Sequence, residues 1–310
     1  MNLRRSGITC LALALSCSLL CSCGSKSTGG AEADHSGPPR DTAPQVLVPS
    51  ADKTEEYGNE FASIDASNSS QGYIMASYKS NCEKVKIQIT DPEGVTYTYL
   101  LPKGDSYQTF PLSGGDGTYG IQVLENVSGD SYAIVLSEEI KVSLENEFLP
   151  HLYPNQYVNF TADSKAVAKG SELAEDTYSD LEVVNNVYLY VIKNITYDTA
   201  KAQNISYGYL PDVDETLKAG TGICFDYAAL MCCMLRSQGI PTKLEVGYSG
   251  EAYHAWISTY VDDIGWVDNI IEFDGESWEL MNPTLAANND SDAVSEYIGD
   301  GDNYTLKYSY

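Results

Sequence analysis

The sequence predicts an α+β chain in which an all-β sandwich precedes a domain of helices packed on an antiparallel sheet. Apolar residues alternate over short segments between residues 71 and 150, and they recur at three- and four-residue steps after residue 150. A length of 310 residues suits two ordinary domains. We therefore expect four regions along the chain: a cleaved leader over 1–22, a flexible linker over 23–70, the sandwich over 71–150 and the α+β domain over 151–310.

The start of the chain has the composition of an export signal. Arg4 and Arg5 precede an apolar run over 8–20 that is too short to span a bilayer comfortably. The ending Leu20-Cys21-Ser22-Cys23 resembles the lipobox of bacterial lipoproteins, which implies cleavage before Cys23 and diacylglycerol on its thiol. We expect an exported chain that is held on the outer face of the bacterial cell membrane by lipid on Cys23.

The charge balance excludes one class of partner. The chain has 44 acidic and 18 basic residues, a formal net charge of -26, so a nucleic-acid backbone would repel it. The predicted linker is rich in Ser, Gly, Ala, Asp, Glu and Pro and lacks sustained periodicity. We therefore expect a flexible stalk and no nucleic-acid binding.

The sandwich is predicted from short alternating segments with turns between them. Asp91-Pro92-Glu93-Gly94 and Gly114-Gly115-Asp116-Gly117 are two of the turns. Strands spaced in this way are typical of an immunoglobulin-like antiparallel sandwich, here without the cysteine pair of antibody domains. Its many tyrosines are explained by packing, so we predict no binding site there, and glycan binding by residues 71–150 remains an alternative. The predicted strands are Tyr73–Tyr78, Val85–Ile89, Val95–Leu101, Tyr119–Leu124 and Tyr132–Ile140.

Two helices are predicted in the second domain. Ser179-Asp180-Leu181-Glu182 has the spacing of a capping box, and an apolar stripe follows it as far as Ile195. A second helix begins near Cys224 and runs to Arg236, with Gly239 and then Pro241 as stop signals. Strand-like runs follow at 242–248, 253–261, 266–273, 277–281 and 304–310.

Three residues in this domain have the chemistry of a cysteine nucleophile and its helpers. Cys224 stands in the first turn of the second helix, where unpaired N–H groups and the helix dipole lower the pKa of a thiol. His254 lies on a predicted strand and is suited to act as a general base. Asn282 ends a later strand, where its side-chain oxygen can orient the imidazole. Cys232 and Cys233 are assigned to packing.

Four sequence blocks, in order, resemble the core of the transglutaminase-like superfamily. They are Gly222-Ile223-Cys224, Leu235-Arg236-Ser237-Gln238-Gly239-Ile240-Pro241, His254-Ala255-Trp256 and Asn282-Pro283-Thr284. With the upstream helix and Ile195-Thr196-Tyr197-Asp198, the resemblance covers about residues 175–310 and excludes the sandwich and the linker. It implies a papain-like arrangement, in which the thiolate attacks a carboxamide or peptide carbonyl, forms a thioester and passes the acyl group to an amine or water.

The resemblance makes Cys224, His254 and Asn282 the expected catalytic residues. Asn282 stands where the family usually has Asp, and Asp268 is an alternative orienting residue, although the strand before Asn282 matches the family better. The backbone N–H of Cys224 is the expected oxyanion donor, with Tyr209 or Gln203 as side-chain candidates. The cysteines and His254 lack the paired spacing of zinc ligands, so we expect neither a metal nor a cofactor.

The predicted function is that of a surface-tethered cysteine enzyme. We expect it to act on amide bonds of extracellular protein or cell-wall peptide, either as a peptidase or amidase or by acyl transfer to an amine. The alternative is a surface adhesin or assembly module that keeps the fold with weak catalysis or none. Cys224 and His254 favour the enzyme, whereas the change from Asp to Asn at 282 favours the alternative.

Overall fold

The computed structural model describes residues 38–249, 251–262, 264–268, 272–273, 278–279 and 304–310. It has the predicted α+β character, with β-strands in the N-terminal part and helices followed by an antiparallel sheet in the C-terminal part. Among these residues, no helix is long and apolar enough to cross a membrane. The cysteines among them, Cys82, Cys224, Cys232 and Cys233, are all free thiols.

The N-terminal part contains two antiparallel sheets of four strands each. One has the order β1-β2-β3-β6 and the other the order β5-β4-β7-β8. Their shared core is strongly aromatic, since Tyr78, Tyr99, Phe110 and Tyr119 are almost fully buried. An immunoglobulin-like relationship stays a prediction. The strands are β1 (Glu56–Gly58), β2 (Ala62–Asp65), β3 (Tyr73–Tyr78), β4 (Val85–Thr90), β5 (Thr96–Leu100), β6 (Gly104–Pro111), β7 (Gly117–Ser128) and β8 (Ser131–Val142).

The predicted linker over 23–70 differs from the structure in its second half. Strand β2 pairs with β3, and all four of its residues are buried. Apolar and polar residues do not alternate along this strand, because both of its faces are covered. Its sequence therefore resembled that of a linker. Upstream of it, Arg40 forms an ion pair with Asp180 at 2.7 Å, and the Gln45 N–H donates to the Ser237 carbonyl. Residues 40–65 are therefore part of the folded body.

In the described residues, the C-terminal part contains five helices and a four-stranded sheet, and helix α5 packs against that sheet. Helix α5 is the central element: all its residues from Asp226 to Arg236 are buried, and it packs against α1, α2, α4 and strand β12. The sheet has the order β13-β12-β11-β16, all antiparallel. The helices are α1 (Lys165–Leu173), α2 (Asp180–Asn194), α3 (Thr199–Gln203), α4 (Val213–Ala219) and α5 (Cys224–Arg236); the strands are β9 (Thr196–Tyr197), β10 (Thr221–Gly222), β11 (Thr242–Ser249), β12 (Ala252–Val261), β13 (Gly265–Val267), β14 (Glu272–Phe273), β15 (Trp278–Glu279) and β16 (Tyr304–Ser309).

Both predicted helices are present with the expected boundaries. Helix α2 begins after Ser179, whose hydroxyl accepts from the Glu182 N–H at 3.3 Å. The Glu182 carboxylate in turn accepts from the Tyr178 N–H at 2.7 Å, one residue before the usual capping-box partner. Helix α5 ends at Arg236, and Gly239 follows with a φ of 74°. The positive φ explains why glycine stands there.

Candidate active site

Cys224 is the first residue of helix α5, as predicted. The residue before it, Ile223, has an extended backbone, and its N–H donates to the carboxylate of Asp226 at 2.9 Å. An acidic side chain in the first turn satisfies an N–H that the helix itself leaves unpaired and complements the helix dipole. This bond fixes the turn that carries the thiol.

Asp226 is the centre of a polar cluster directly below the thiol. Its side chain is fully buried and accepts from Lys201 Nζ at 2.6 Å and from the Tyr209 hydroxyl. Lys201 Nζ also donates to the Tyr209 hydroxyl at 2.7 Å. A buried carboxylate needs such partners to offset its lost hydration. The cluster joins α3, the loop over 204–212 and the start of α5.

His254 lies on β12, beside the start of α5. Within the described residues, strand β13 pairs with Thr259–Val261 of β12 and stops short of His254. The sulfur of Cys224 approaches this part of the strand and accepts a hydrogen bond from the Ala255 N–H. The thiol thus lies one residue along the strand from His254, and both side chains line the same cleft.

The pKa of the Cys224 thiol is raised in the resting protein. Burial raises it most, whereas hydrogen bonds from the backbone N–H groups of Ala255 and Phe225 lower it. The expectation that the helix start lowers this pKa is therefore wrong for the net effect, because desolvation of the thiolate exceeds the stabilisation by N–H groups. Burial also lowers the pKa of His254 to about 4, so its imidazole is neutral at pH 7. A neutral imidazole beside a protonated thiol is suited to general-base catalysis.

Tyr197 is a site residue that the sequence did not single out. It belongs to β9, which pairs in parallel with β10 so that Tyr197 stands opposite Gly222, two residues before Cys224. Its side chain forms a hydrogen bond with the Cys224 thiol, and burial, together with that thiol, raises the pKa of Tyr197 to about 12. A phenol that stays protonated beside the reacting sulfur can donate a hydrogen bond there. The sequence signal was its place in Ile195-Thr196-Tyr197-Asp198.

Neither oxyanion candidate from the sequence directs its side chain at the thiol, although Tyr209 lines the cleft. The Tyr209 hydroxyl donates to Asp226 instead of pointing its hydrogen at the thiol. Gln203 is exposed at the end of α3 and is not among the residues that line the cleft. Of the side-chain hydroxyls considered, that of Tyr197 is therefore the one at the sulfur.

Of the two residues predicted to orient His254, Asp268 lies within the described residues. Asn282 and Cys23, the residue predicted to carry lipid, lie outside the described residues. Asp268 directly follows β13, where Val267 pairs with Thr259, five residues further along β12 than His254. The same register puts Asp268 level with Ser258, four residues or about 13 Å along the strand from His254, so it does not support Asp268 as the orienting residue. Cys232 and Cys233 are fully buried in α5, consistent with packing.

The cleft above Cys224 has a volume of about 460 Å³. The C-terminal part supplies Cys224, His254 and Tyr197, whereas the end of strand β5 in the N-terminal part supplies Leu100. No group of three or more His, Cys, Asp or Glu side chains within the described segments has a geometry that could hold a metal ion. The site thus consists of a thiol, a neutral imidazole and a phenol in a shared cavity of the size of small-molecule or side-chain pockets.

Residues 166–269, which include Cys224 and His254, match a family model described as the transglutaminase-like superfamily. No curated protein matches the chain.

Three solved structures show a weak likeness. A proposed cysteine protease from Cytophaga hutchinsonii is 12% identical with a TM-score of 0.38, over 77% of this chain and 83% of that one. A proposed protease from Parabacteroides distasonis is 12% identical with a TM-score of 0.28, over 65% and 61%. Red sea bream transglutaminase is 14% identical with a TM-score of 0.27, over 68% and 47%. The chain thus covers less than two thirds of the length of the last two proteins. Because all three TM-scores are below 0.5, these structures establish neither the fold nor the activity of this chain.

Proposed function

We propose that this chain is a cysteine enzyme that acts on amide bonds through a thioester at Cys224, since residues 166–269 match the model of the transglutaminase-like superfamily. The observation that carries the proposal is that Cys224 and His254 line one cleft, with the Ala255 N–H bonded to the sulfur. A lone cysteine at a helix start is more often a packed side chain. A half-buried thiol beside a neutral imidazole and a phenol is a reactive arrangement.

In the proposed mechanism, the imidazole of His254 removes the proton from the Cys224 thiol as the sulfur attacks the amide carbonyl carbon. The C–S bond forms while the carbonyl π-electrons move to oxygen. The oxyanion accepts hydrogen bonds from the Tyr197 hydroxyl and from the Cys224 N–H, which the helix does not use and which donates to the Tyr197 oxygen in the resting protein. His254 then protonates the leaving amine, and the C–N bond breaks to give the thioester. Water or a second amine then attacks the thioester carbon and gives its proton to His254. The C–S bond breaks to release the carboxylic acid or the new amide, and His254 returns the proton to the Cys224 sulfur.

The proposed substrates are extracellular protein or cell-wall peptides. This part rests on the leader and the lipobox-like Leu20-Cys21-Ser22-Cys23. We propose that lipid on Cys23 holds the enzyme on the outer face of the bacterial cell membrane, facing those substrates. The net charge of -26 agrees with a partner that is not a nucleic acid.

The proposal is tested with the purified protein and its Cys224→Ala variant, each incubated with casein, peptidoglycan peptides and a labelled primary amine. Amine incorporation that depends on Cys224 identifies a transferase, and cleavage or deamidation that depends on Cys224 identifies a hydrolase, both read by mass spectrometry. The matched control is Cys82→Ala, because Cys82 is the other partly exposed cysteine among the described residues and lies outside the cleft. Equal behaviour of wild type and Cys224→Ala on every substrate would overturn the proposal in favour of a surface adhesin.

A further inference from the structure

The N-terminal part forms one wall of the cleft above Cys224. Thr98, Tyr99 and Leu100 at the end of β5 line it. Gln156 Nε2 donates to the Leu100 carbonyl at 2.7 Å, and an ideal Cβ on Gly208 would lie 2.4 Å from Leu100 Cδ1. Gly208 has a φ of 78°, so the loop over 204–212 comes close to Leu100 through a position that favours glycine. The wall from β5 is thus held firmly against the domain that carries the nucleophile.

Aromatic rings continue this wall down to the nucleophile. The Tyr99 ring stacks on Tyr157 with centroids 5.4 Å apart, and Tyr157 contacts Phe225 with centroids also 5.4 Å apart. Phe225 directly follows Cys224 in the chain. A substrate group that enters the cleft beside the thiol therefore meets Leu100 and aromatic surface.

The described lining carries no acidic side chain, no lysine and no arginine, and it contains seven tyrosines. This neutrality contrasts with a chain that has 44 acidic residues. Burying a charged group against such a surface costs free energy because no opposite charge replaces its hydration. The chemistry of the described lining therefore favours an uncharged ligand group.

The residues that line the mouth of the cleft are also apolar or aromatic, and one cation, Lys86 Nζ, lies 5.4 Å from the centre of the Tyr207 ring. Ile205, Tyr207, Leu210 and Tyr253 line the cleft and still expose large parts of their side chains, 78% for Tyr207 and 59% for Tyr253. A cluster of exposed apolar residues around a cavity is typical of a binding site. Here the cluster surrounds the nucleophile instead of lying on an unrelated face.

We propose that the cleft binds peptide substrates through a bulky uncharged side chain, aromatic or aliphatic, next to the reacting carbonyl, and that Leu100 of the N-terminal part is a specificity-determining residue. The inference rests on the proposed function, because a peptide is the occupant that presents an amide carbonyl to Cys224. The N-terminal part thereby selects the substrate of the C-terminal part.

The test uses the full-length protein and four peptidyl chloromethyl ketones that differ only in the side chain next to the reactive group: Phe, Leu, Asp or Lys. In the labelling reaction the sulfur of Cys224 bonds to the methylene carbon, chloride leaves, and His254 takes the thiol proton. Mass spectrometry of the intact protein gives each rate. We expect the Phe and Leu probes to react about 10-fold faster than the Asp and Lys probes. Equal rates, or faster reaction of a charged probe, would overturn the inference.

Two variants and one control locate the selectivity. Leu100→Lys places a cation in the wall. Ile205→Lys places a cation on the exposed rim, where folding tolerates it. Both variants are expected to raise the rate of the Asp probe relative to the Phe probe by about 10-fold. Thr96→Lys lies on the same strand outside the cleft and should keep the wild-type ranking. An unchanged ranking in both cleft variants would overturn the role of this wall.

Iodoacetamide, which has no side chain to select, separates this inference from the proposed function. If neither iodoacetamide nor any ketone labels Cys224 at any pH, the proposed function fails. If iodoacetamide labels Cys224 but the four ketones show no ranking, only the substrate inference fails. Protection of Cys224 by N-acetylglucosamine oligomers, without a ranking among the ketones, would overturn the inference in favour of a glycan ligand.

Discussion

The Tyr197 side chain forms a hydrogen bond with the Cys224 thiol, and a substitution tests whether its hydroxyl takes part in the reaction. We predict that Tyr197→Phe lowers kcat by roughly 100-fold with little change in KM, because one oxyanion donor is lost while the ring is kept. The measurement is steady-state kinetics on the substrate found with the panel above. Tyr248→Phe, which removes a hydroxyl outside the cleft, serves as the control. An unchanged kcat in Tyr197→Phe would remove Tyr197 from the mechanism.

His254 links the site to stability because burial lowers its pKa to about 4. An unfolded histidine has a pKa near 6.5, so between these two values the unfolded state binds more protons. The free energy of unfolding therefore falls as the pH falls from about 6.5 to 4, by about 3 kcal/mol from this residue.

The pH dependence is checked by urea denaturation of the wild type and His254→Gln at pH 7, 5 and 4. The variant is expected to lose about 3 kcal/mol less than the wild type over this range. His151, whose pKa burial also lowers, is present in both proteins and cancels in the comparison. Identical pH dependence in the two proteins would contradict the assignment of a buried neutral imidazole at 254.

The sequence could identify Cys224 and His254 because short motifs of neighbouring residues surround them. Gly222 stands two residues before Cys224, and Ala255 and Trp256 directly follow His254. Tyr197 could not be identified in this way, because its contact with the thiol depends on β9 pairing with β10. The raised pKa of Cys224 could not be predicted from the sequence either. Burial of the thiol depends on the whole cleft, whereas the helix start is visible in the local sequence.

At the scale of elements, the start of α5 depends on the ion pair between Asp226 and Lys201. We predict that Lys201→Met destabilises the protein by about 2 kcal/mol, because the buried carboxylate loses its cation while Lys201 itself is partly exposed to solvent. Chemical denaturation measures the change. The control is Lys218→Met on the neighbouring α4, where the pair with Glu215 is largely exposed and contributes at most about 0.5 kcal/mol. Equal effects of the two substitutions would show that Asp226 does not need the cation.

Elements with a strong local pattern were predictable, and short elements were not. Helix α2 has a cap and an apolar stripe, and β4 alternates between buried and half-buried residues. Helices α3 and α4 have only five and seven residues, too few for a period to emerge. Their starts are fixed by Asp198 and Asp212, whose side chains accept from N–H groups of the first turn.

At the scale of the whole molecule, one buried apolar cluster extends from Ala62 in the N-terminal part to Val267 in the C-terminal sheet. Arg40 ties the upstream segment to Asp180, and the Tyr310 ring contacts Tyr99 and Tyr157. We therefore predict a single cooperative unfolding transition for the whole chain in differential scanning calorimetry. Gln156→Ala, which removes the bond to the Leu100 carbonyl, should lower the Tm of that one transition. Two resolved transitions, only one of which responds to the substitution, would contradict this prediction.

The guanidinium of Arg236 donates to backbone carbonyls of Tyr153, Thr242 and Tyr310, and its side chain is buried. These acceptors come from three separated stretches, and Tyr310 follows Arg236 by 74 residues. During synthesis the ribosome adds this acceptor long after the arginine has emerged, so the cation stays hydrated until then. Helix α5 therefore cannot complete the contacts of Arg236 until strand β16 and Tyr310 have been synthesised, long after Cys224 at its start has left the ribosome.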